Sequence, residues 1–251
     1  MSESVLVEDA DGVLTVTWND PERLNGMTGD MLDAASDAVE GAPAGTRVIV
    51  FTGAGRAFST GARLGGEIKG TEPMDVANRL IRAVTSSPVP VVAAVNGPAA
   101  GFGCSVALAA DITIAKQSAY FLLPFTNIGL MPDGGSTAVV AASIGRARAS
   151  AMALLGERLP ADEAARTGLI HTAVPDEEFD AAVEGIVARL AAGASVSYRA
   201  TKEAITAATL GHLDEVLDRE RDLQVELFGT TDFAEGATAF LQKRAPKFVG
   251  A

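Results

Sequence analysis

Little in this chain can bind a metal ion or form a cross-link. Of 251 residues one is a cysteine, Cys104, and two are histidines, His171 and His212. An internal disulfide is therefore excluded, and neither a C-x-x-C motif nor a His/Cys cluster is there to hold a metal. Aromatic residues make up only 5% while hydrophobic residues reach 48%, which calls for a core of small and branched side chains around closely approaching backbone. Basic residues are also scarce, 20 against 32 acidic ones, for a formal net charge of −12. A surface that tracks nucleic acid needs a clustered basic face, so no nucleic-acid partner is expected. An anionic ligand would have to be met by a few local cations or by backbone N–H groups. Residues 1–10 carry acidic and hydroxyl side chains and no secretory apolar region. The apolar stretch 88–115 is interrupted by Pro88, Pro90, Asn96, Gly97, Pro98, Gly101 and Gly103, short of the about 20 unbroken residues of a membrane span. The expectation is a soluble, cytoplasmic protein without a membrane partner.

What is present reads as α/β. The length suits one large domain or a core with a helical appendage. Residues 13–18 alternate as a half-buried strand, and residues 47–52 (RVIVFT) form a β-branched run suited to a strand buried on both faces. Between them Thr28 precedes a helical pattern of Met31, Leu32, Ala35 and Val39 that Gly41 and Pro43 end. Residues 90–96 repeat the buried-strand signal, a glycine-rich turn leads into a helix over 102–110, and residues 111–115 (DITIA) predict another strand. Beyond Gly145 the pattern is helical over 146–155, 161–167, 176–192, 196–208, 213–228 and 232–244, with few strand signals. A core over 1–194 and a helical region over 195–251 follow. No linker separates them, so the helices should pack on the core or on a neighbouring subunit.

Three segments place glycine or an acid where a plain turn has no need of them. In residues 53–64 (GAGRAFSTGARL), Gly61 lets the backbone pass close to a neighbour and turns the Ala62 N–H toward a cavity. In residues 96–107 (NGPAAGFGCSVA), Gly101 and Gly103 flank Phe102 at a helix start, where unpaired N–H groups and the dipole favour developing negative charge. The dinucleotide fingerprint lacks its third glycine, Val106 standing there, and no GxxxxGK[ST] occurs. In residues 129–135 (GLMPDGG), Asp133 has two readings. It N-caps a helix starting near Gly134, or it is an acid whose pKa is raised by Leu130, Met131, Phe102 and Phe125. The glycine pair after it makes a poor first turn and suits close approach of a ligand. Cys104 reads as a small buried residue, His171 as a structural or exposed histidine, and His212 as a surface residue.

Taken with residues 21–28 (PERLNGMT) and 235–248 (EGATAFLQKRAPKF), these motifs occur in one order over essentially the whole chain, which resembles the crotonase (enoyl-CoA hydratase/isomerase) superfamily. The resemblance implies a spiral of repeated ββα turns with a C-terminal helical trimerisation region, assembled as a homotrimer or as a hexamer of paired trimers. It also implies an acyl-CoA thioester substrate and no separate cofactor. The oxyanion hole falls on the backbone N–H groups of Ala62 and Phe102, and such donors typically contribute about 2.7–4 kcal/mol each. The two glutamates by which the family's hydratases handle water are matched by Ser105 and Phe125, neither of them a base, so hydration should be absent or very slow. Asp133 stands where the family's 3-enoyl isomerases and its epoxyphenylacetyl-CoA isomerases carry an acid, and one carboxylate suffices to move a proton from C2 to C4. Arg23, Leu24, Thr60 and Ala62 should line the nucleotide end of the ligand, Leu64, Phe102, Phe125 and Leu130 its remaining contacts, and Phe240 and Lys243 a neighbour's CoA. Arg63 replaces the family's usual Asp with its role open. The length of the acyl pocket is assigned to Phe102, Phe121, Phe125 and a variable loop over 64–78. The expected activity is 3-enoyl-CoA to 2-enoyl-CoA isomerisation in fatty acid metabolism. Epoxide ring opening, another enolate reaction such as thioester hydrolysis, and non-catalytic acyl-CoA binding are the alternatives.

Overall fold

A computed structural model describes residues 4–63 and 70–251, so the candidate substrate residue Leu64 lies outside the described residues. Strands β1 (Val5–Ala10) and β2 (Val13–Trp18) form a hairpin whose two turn residues, Asp11 and Gly12, both have positive φ, the geometry of a tight turn matched to strand twist. β2 buries Leu14, Val16 and Trp18 on one face. Helix α1 (Gly29–Glu40) starts where the hydroxyl of Thr28 accepts the Met31 N–H and stops at Gly41, as its sequence predicts. β3 (Val48–Gly53), α2 (Glu72–Ser86) and β4 (Val91–Val95) continue the winding. Then come β5 (Ala99–Ala100), α3 (Phe102–Ala109), β6 (Ile112–Lys116), β7 (Tyr120–Leu122), α4 (Ser136–Leu155), β8 (Leu159–Pro160), α5 (Ala161–Thr167) and β9 (Thr172–Val174). Helices α6 (Phe179–Ala192), α7 (Ser195–Leu210), α8 (Leu213–Phe228) and α9 (Thr231–Leu241) complete the chain.

The main sheet runs β1-β2-β3-β4-β6-β9, parallel except for the β1–β2 hairpin, and a three-stranded sheet runs β5-β7-β8. The central strands are buried on both faces. Ile49 and Phe51 face the large core, while Val48, Val50, Val92 and Ala94 pack against Phe179 and Leu190 of α6. This explains why RVIVFT shows no alternation. Four expectations need correction. β1 was not foreseen. The loop over 64–78 gives way to α2 at Glu72, whose Met74, Ala77, Leu80, Ile81 and Val84 are buried. α4 starts at Ser136, close to the helix start considered near Gly134, and runs into the helix expected over 146–155 across a break at Gly145 (φ 79°, ψ 158°). β9 joins the main sheet in a region read as helical. α4 is also long and apolar enough to cross a membrane by length and composition, but the break leaves two short segments, neither near the about 20 residues of a span.

The C-terminal helices share the large core, to which α8 contributes Leu213 and Leu217 and α9 contributes Phe233. A buried ion pair ties α7 down as well. Lys202 Nζ lies 2.8 Å from Asp111 Oδ2 and donates to the Val84 carbonyl at 2.9 Å, while the same Asp111 oxygen accepts the Val91 N–H at 2.7 Å. Burial pushes Asp111 up and Lys202 down, each opposed by the other's charge. Removing one partner leaves a largely buried charge alone. Lys202→Met is therefore expected to cost about 1–3 kcal/mol, read as a lower urea midpoint at unchanged m-value, and an unchanged midpoint would show that the pair does not anchor α7.

Candidate active site

The segments that carry the two candidate amides are held against each other through backbone. Asn25 is fully buried, its Nδ2 donating to the carbonyls of Ala54, Ala57 and Phe58 and its Oδ1 accepting the Asp20 N–H. Ser59 Oγ donates to the Asn25 carbonyl at 2.7 Å and accepts the Gly61 N–H at 3.1 Å. The Leu24 carbonyl accepts the Thr60 N–H at 3.2 Å. The PERLN motif therefore acts as a clamp on the FSTGA turn. Leu24 does not line the cavity, because its left-handed conformation (φ 52°) turns its carbonyl, not its side chain, to the site's scaffold. Across the junction Ala100 N–H donates to the Ser59 carbonyl, and Gly61 (φ 87°) lies so near that a Cβ there would sit 2.8 Å from the Ala100 oxygen and 2.9 Å from the Phe102 nitrogen. The N–H groups of Ala62 and Phe102 have no acceptor among the described residues, and both residues line one cavity of about 520 Å³. Phe102 is the first residue of α3, so its free N–H also stands at a positive helix end.

Asp133 lines the same cavity and is 7% exposed. Its carbonyl accepts from Ser105 Oγ at 2.7 Å, Ser136 Oγ at 2.8 Å and Ser136 N–H at 3.2 Å, which fixes its backbone. Its carboxylate caps no helix. The N-terminus of α4 is capped instead by Glu220 of α8, which accepts the N–H groups of Gly135 and Thr137 and the Thr137 hydroxyl. The capping reading of Asp133 is thereby overturned, and so is the assignment of Gly134 and Gly135 to ligand approach. A Cβ at Gly134 would strike the Phe102 ring and Ser105, and one at Gly135 would strike Leu213. The Asp133 Oδ2 atom accepts from Gln224 Nε2 at 2.9 Å, and Oδ1 is buried with no partner among the described residues. Burial pushes the carboxyl up to about 7, the Gln224 amide pulling it down and the nearby Glu220 charge pushing it further up.

Of the residues singled out in the sequence, the fold brings together Arg23, Thr60, Ala62, Phe102, Phe125, Leu130, Asp133 and Phe240 around this cavity. Asp133 is its single carboxylate among the described residues. Lys243 is not part of it. That residue follows α9 in a left-handed conformation, and the next cation, Arg244, enters the lining beside Pro246, braced by Glu235 at 2.6 Å. Phe240 lines the cavity of its own chain, and its expected contact with a neighbour's CoA concerns a second chain. Phe121 is fully buried in the small sheet and does not line this cavity; Met74 and Ala77, from the segment expected to shape the pocket, form apolar wall together with Phe228, which had not been foreseen. Arg63 also faces the cavity, paired with the Asp20 carboxylate and donating to the Gly26 carbonyl. Cys104 is buried within α3 with its thiol pushed up to about 12, which removes it as a nucleophile.

The residues missed outright are Glu220 and Gln224, both 1% exposed. A signal for them existed. They continue, at helical spacing, the buried stripe of Leu213 and Leu217 on α8, and a polar residue on an apolar stripe needs a buried partner.

Comparison with known proteins bears on the same site. The family model described as enoyl-CoA hydratase/isomerase matches residues 8–251. A protein named probable enoyl-CoA hydratase from Rhodobacter capsulatus is 43% identical over 252 residues, covering 98% of each chain. The 1,2-epoxyphenylacetyl-CoA isomerase of Escherichia coli is 38% identical over 261 residues, covering 100% of each. The crystal structure of an enoyl-CoA hydratase from Mycobacterium avium subsp. paratuberculosis superposes with a TM-score of 0.93 at 48% identity, covering 98% of each chain.

Proposed function

Because the chain belongs to the enoyl-CoA hydratase/isomerase (crotonase) family, we propose that it is an acyl-CoA enzyme that moves a double bond from C3 to C2 of an enoyl thioester with Asp133 as its one base. The observation that carries the reading is a lone cavity carboxylate held near pH 7, with one oxygen unpartnered, in the same cavity as two amides without acceptors. The Asp133 carboxylate takes the proton from C2. The C–H electron pair moves toward the thioester, whose oxygen becomes negative between the N–H groups of Ala62 and Phe102. The same carboxylic acid then gives its proton to C4, leaving the double bond at C2 and the base regenerated.

The neighbours of Asp133 support proton return over water addition. Ser105 spends its hydroxyl on the Asp133 carbonyl, and Phe125 presents a ring to the cavity. Neither can activate water. Arg23, Arg63 and Arg244 supply local positive charge for the CoA phosphates in a chain whose net charge is −12. Large apolar side chains exposed on α4, α7 and α9, among them Leu154, Leu155, Ile205 and Leu241, support assembly into a trimer or a hexamer through these helices.

Two relatives carry names that pull in different directions, one a hydratase and one an epoxide isomerase. Ring opening of 1,2-epoxyphenylacetyl-CoA is the second reading, favoured by full-length similarity to a protein of that name, and it uses the same amides and acid. Purified protein incubated separately with 3-enoyl-CoA, 2-enoyl-CoA and 1,2-epoxyphenylacetyl-CoA discriminates. The expected result is conversion of 3-enoyl-CoA to 2-enoyl-CoA with no accumulation of 3-hydroxyacyl-CoA, followed by mass spectrometry and NMR. Efficient formation of the 3-hydroxy product would overturn the assignment, turnover of the epoxide alone would transfer it to ring opening, and binding without turnover of any of the three would leave an acyl-CoA-binding protein.

A further inference from the structure

We propose that Gln224 is the positioning residue of the proton shuttle, tying Asp133 Oδ2 as a permanent acceptor so that the proton in transit is carried on Oδ1. The inference rests on the reading of Asp133 as the base. Its geometric ground is that the Gln224 amide can stand only one way round. Gln224 Oε1 accepts the Met131 N–H at 3.1 Å, while Nε2 donates to the Met131 carbonyl at 2.9 Å and to Asp133 Oδ2 at 2.9 Å. A backbone N–H can only donate and a carbonyl can only accept, so the main chain of Met131 fixes the amide, and the amide in turn presents an N–H to Oδ2. A hydrogen on Oδ2 would turn the oxygen that accepts this N–H into a hydroxyl oxygen, a weaker acceptor. Protonation of Asp133 is therefore favoured on Oδ1, the oxygen without a partner.

The remainder of the surroundings leaves this as the one adjustable contact. Three hydrogen bonds hold the Asp133 carbonyl, so the backbone is fixed and only the carboxyl torsion is left for Gln224 to set. Around Asp133 and the glycine that follows it, α3 contributes Phe102 and Ser105, α4 contributes Ser136, and α8 contributes Gln224 and Glu220. Glu220 is the one other titratable group among the described residues there, and it is engaged by the N-terminus of α4. The donor from Gln224 favours the ionised carboxylate and opposes the burial that disfavours it. One side chain thus selects the oxygen that works and lowers the pH, set mainly by burial, at which it is free to work.

Gln224→Met keeps the length of the side chain and removes the donor. The expected result is that the Asp133 carboxyl, followed by 13C NMR in aspartate-labelled protein, titrates at higher pH than in the wild type. The acid limb of the kcat profile should move up with it, and kcat at pH 7 should fall about 10- to 100-fold, the range for losing a hydrogen bond to a charged group, with KM within about twofold. Should that variant fail to fold, Gln224→Glu sets a second carboxyl against Asp133, and the titration of the pair should split widely. An Asp133 titration that does not move in the folded variant would overturn the proposal, as would a lowered thermal midpoint with the acid limb unmoved. The NMR titration needs no turnover. It therefore reports on Gln224 even if Asp133→Asn proves fully active, which would instead remove the base reading.

Discussion

Asp133→Asn is expected to lower kcat for double-bond transfer by about 10²–10⁴-fold, the range for removing a general base. Thioester affinity should stay near the wild-type value, because the Ala62 and Phe102 amides and the cavity arginines are untouched. In the wild type the carboxyl must be ionised to accept the C2 proton, so kcat/KM should rise with pH through one proton loss near 7. The same group makes a signed prediction for stability. Its folded pKa of about 7 lies above the ordinary 3.8, so the folded state holds that proton more tightly than the unfolded chain does. The contribution is full below about pH 4 and is lost as the pH rises through 7, and it amounts to something on the order of 4 kcal/mol as an upper bound. The Asn variant lacks this dependence. Its thermal midpoint relative to the wild type should therefore be more favourable at pH 8.5 than at pH 5, the reverse of what loss of a helix cap would give. Full isomerase activity in a folded Asp133→Asn protein would end the catalytic reading.

The core strands were legible because their burial is written in composition. The apolar stretches 48–51 and 91–95 contain nothing that a two-sided buried strand would reject. Thr28 and Gly41 bracket α1 in both sequence and structure. Elements at the edges were harder to see. β1 carries Glu8 and Asp9 on a strand with one buried residue, Val5, so its pattern is nearly that of a polar tail. α2 opens with Glu72 and Pro73, residues that suit a helix start, yet it follows a glycine-rich segment and reads as the continuation of a loop. β9 is three residues long, too short for any period to be counted.

At the site, the amides of Ala62 and Phe102 were legible through their glycines, which report backbone contact directly. What surrounds Asp133 was not, since it depends on where α8 lands. The pairing of Asp133 with Gln224 spans 91 residues, and the capping of α4 by Glu220 spans 85. No local pattern encodes either distance. The spacing along α8 could have shown that two polar residues face inward, though not which buried group each would meet. Leu24 is absent from the cavity lining for the opposite reason. Its motif was recognised correctly, but the conformation that gives the motif its use directs the backbone to the neighbouring turn, where Thr60 N–H donates to the Leu24 carbonyl and Ser59 Oγ to that of Asn25.

Gly61→Ala is expected to lower kcat by about 10²–10³-fold for any reaction that passes through the thioester enolate, the cost of one lost oxyanion donor. The added Cβ would lie 2.8 Å from the Ala100 oxygen and 2.9 Å from the Phe102 nitrogen, contacts that real Cβ atoms essentially never show. Neither side can yield cheaply. Ala100 N–H is bonded to Ser59 and Gly101 N–H to the Leu122 carbonyl, while Gly61 N–H is held by Ser59 Oγ. The strain is resolved only by parting the two segments, which separates the amides that must share one oxygen. Left-handed backbone adds a second cost, roughly 1–2 kcal/mol for an alanine. Gly168→Ala isolates that cost, because Gly168 has nearly the same φ, 85°, with its nearest neighbour 3.9 Å away, and it is not part of the cavity lining. Both variants should lose stability, but only Gly61→Ala should lose activity. It should also lose exchange of the C2 hydrogens of a saturated acyl-CoA with deuterium oxide, a step that needs the enolate and no double bond. A folded Gly61→Ala protein with wild-type kcat and exchange would show that the two amides do not hold the thioester oxygen together.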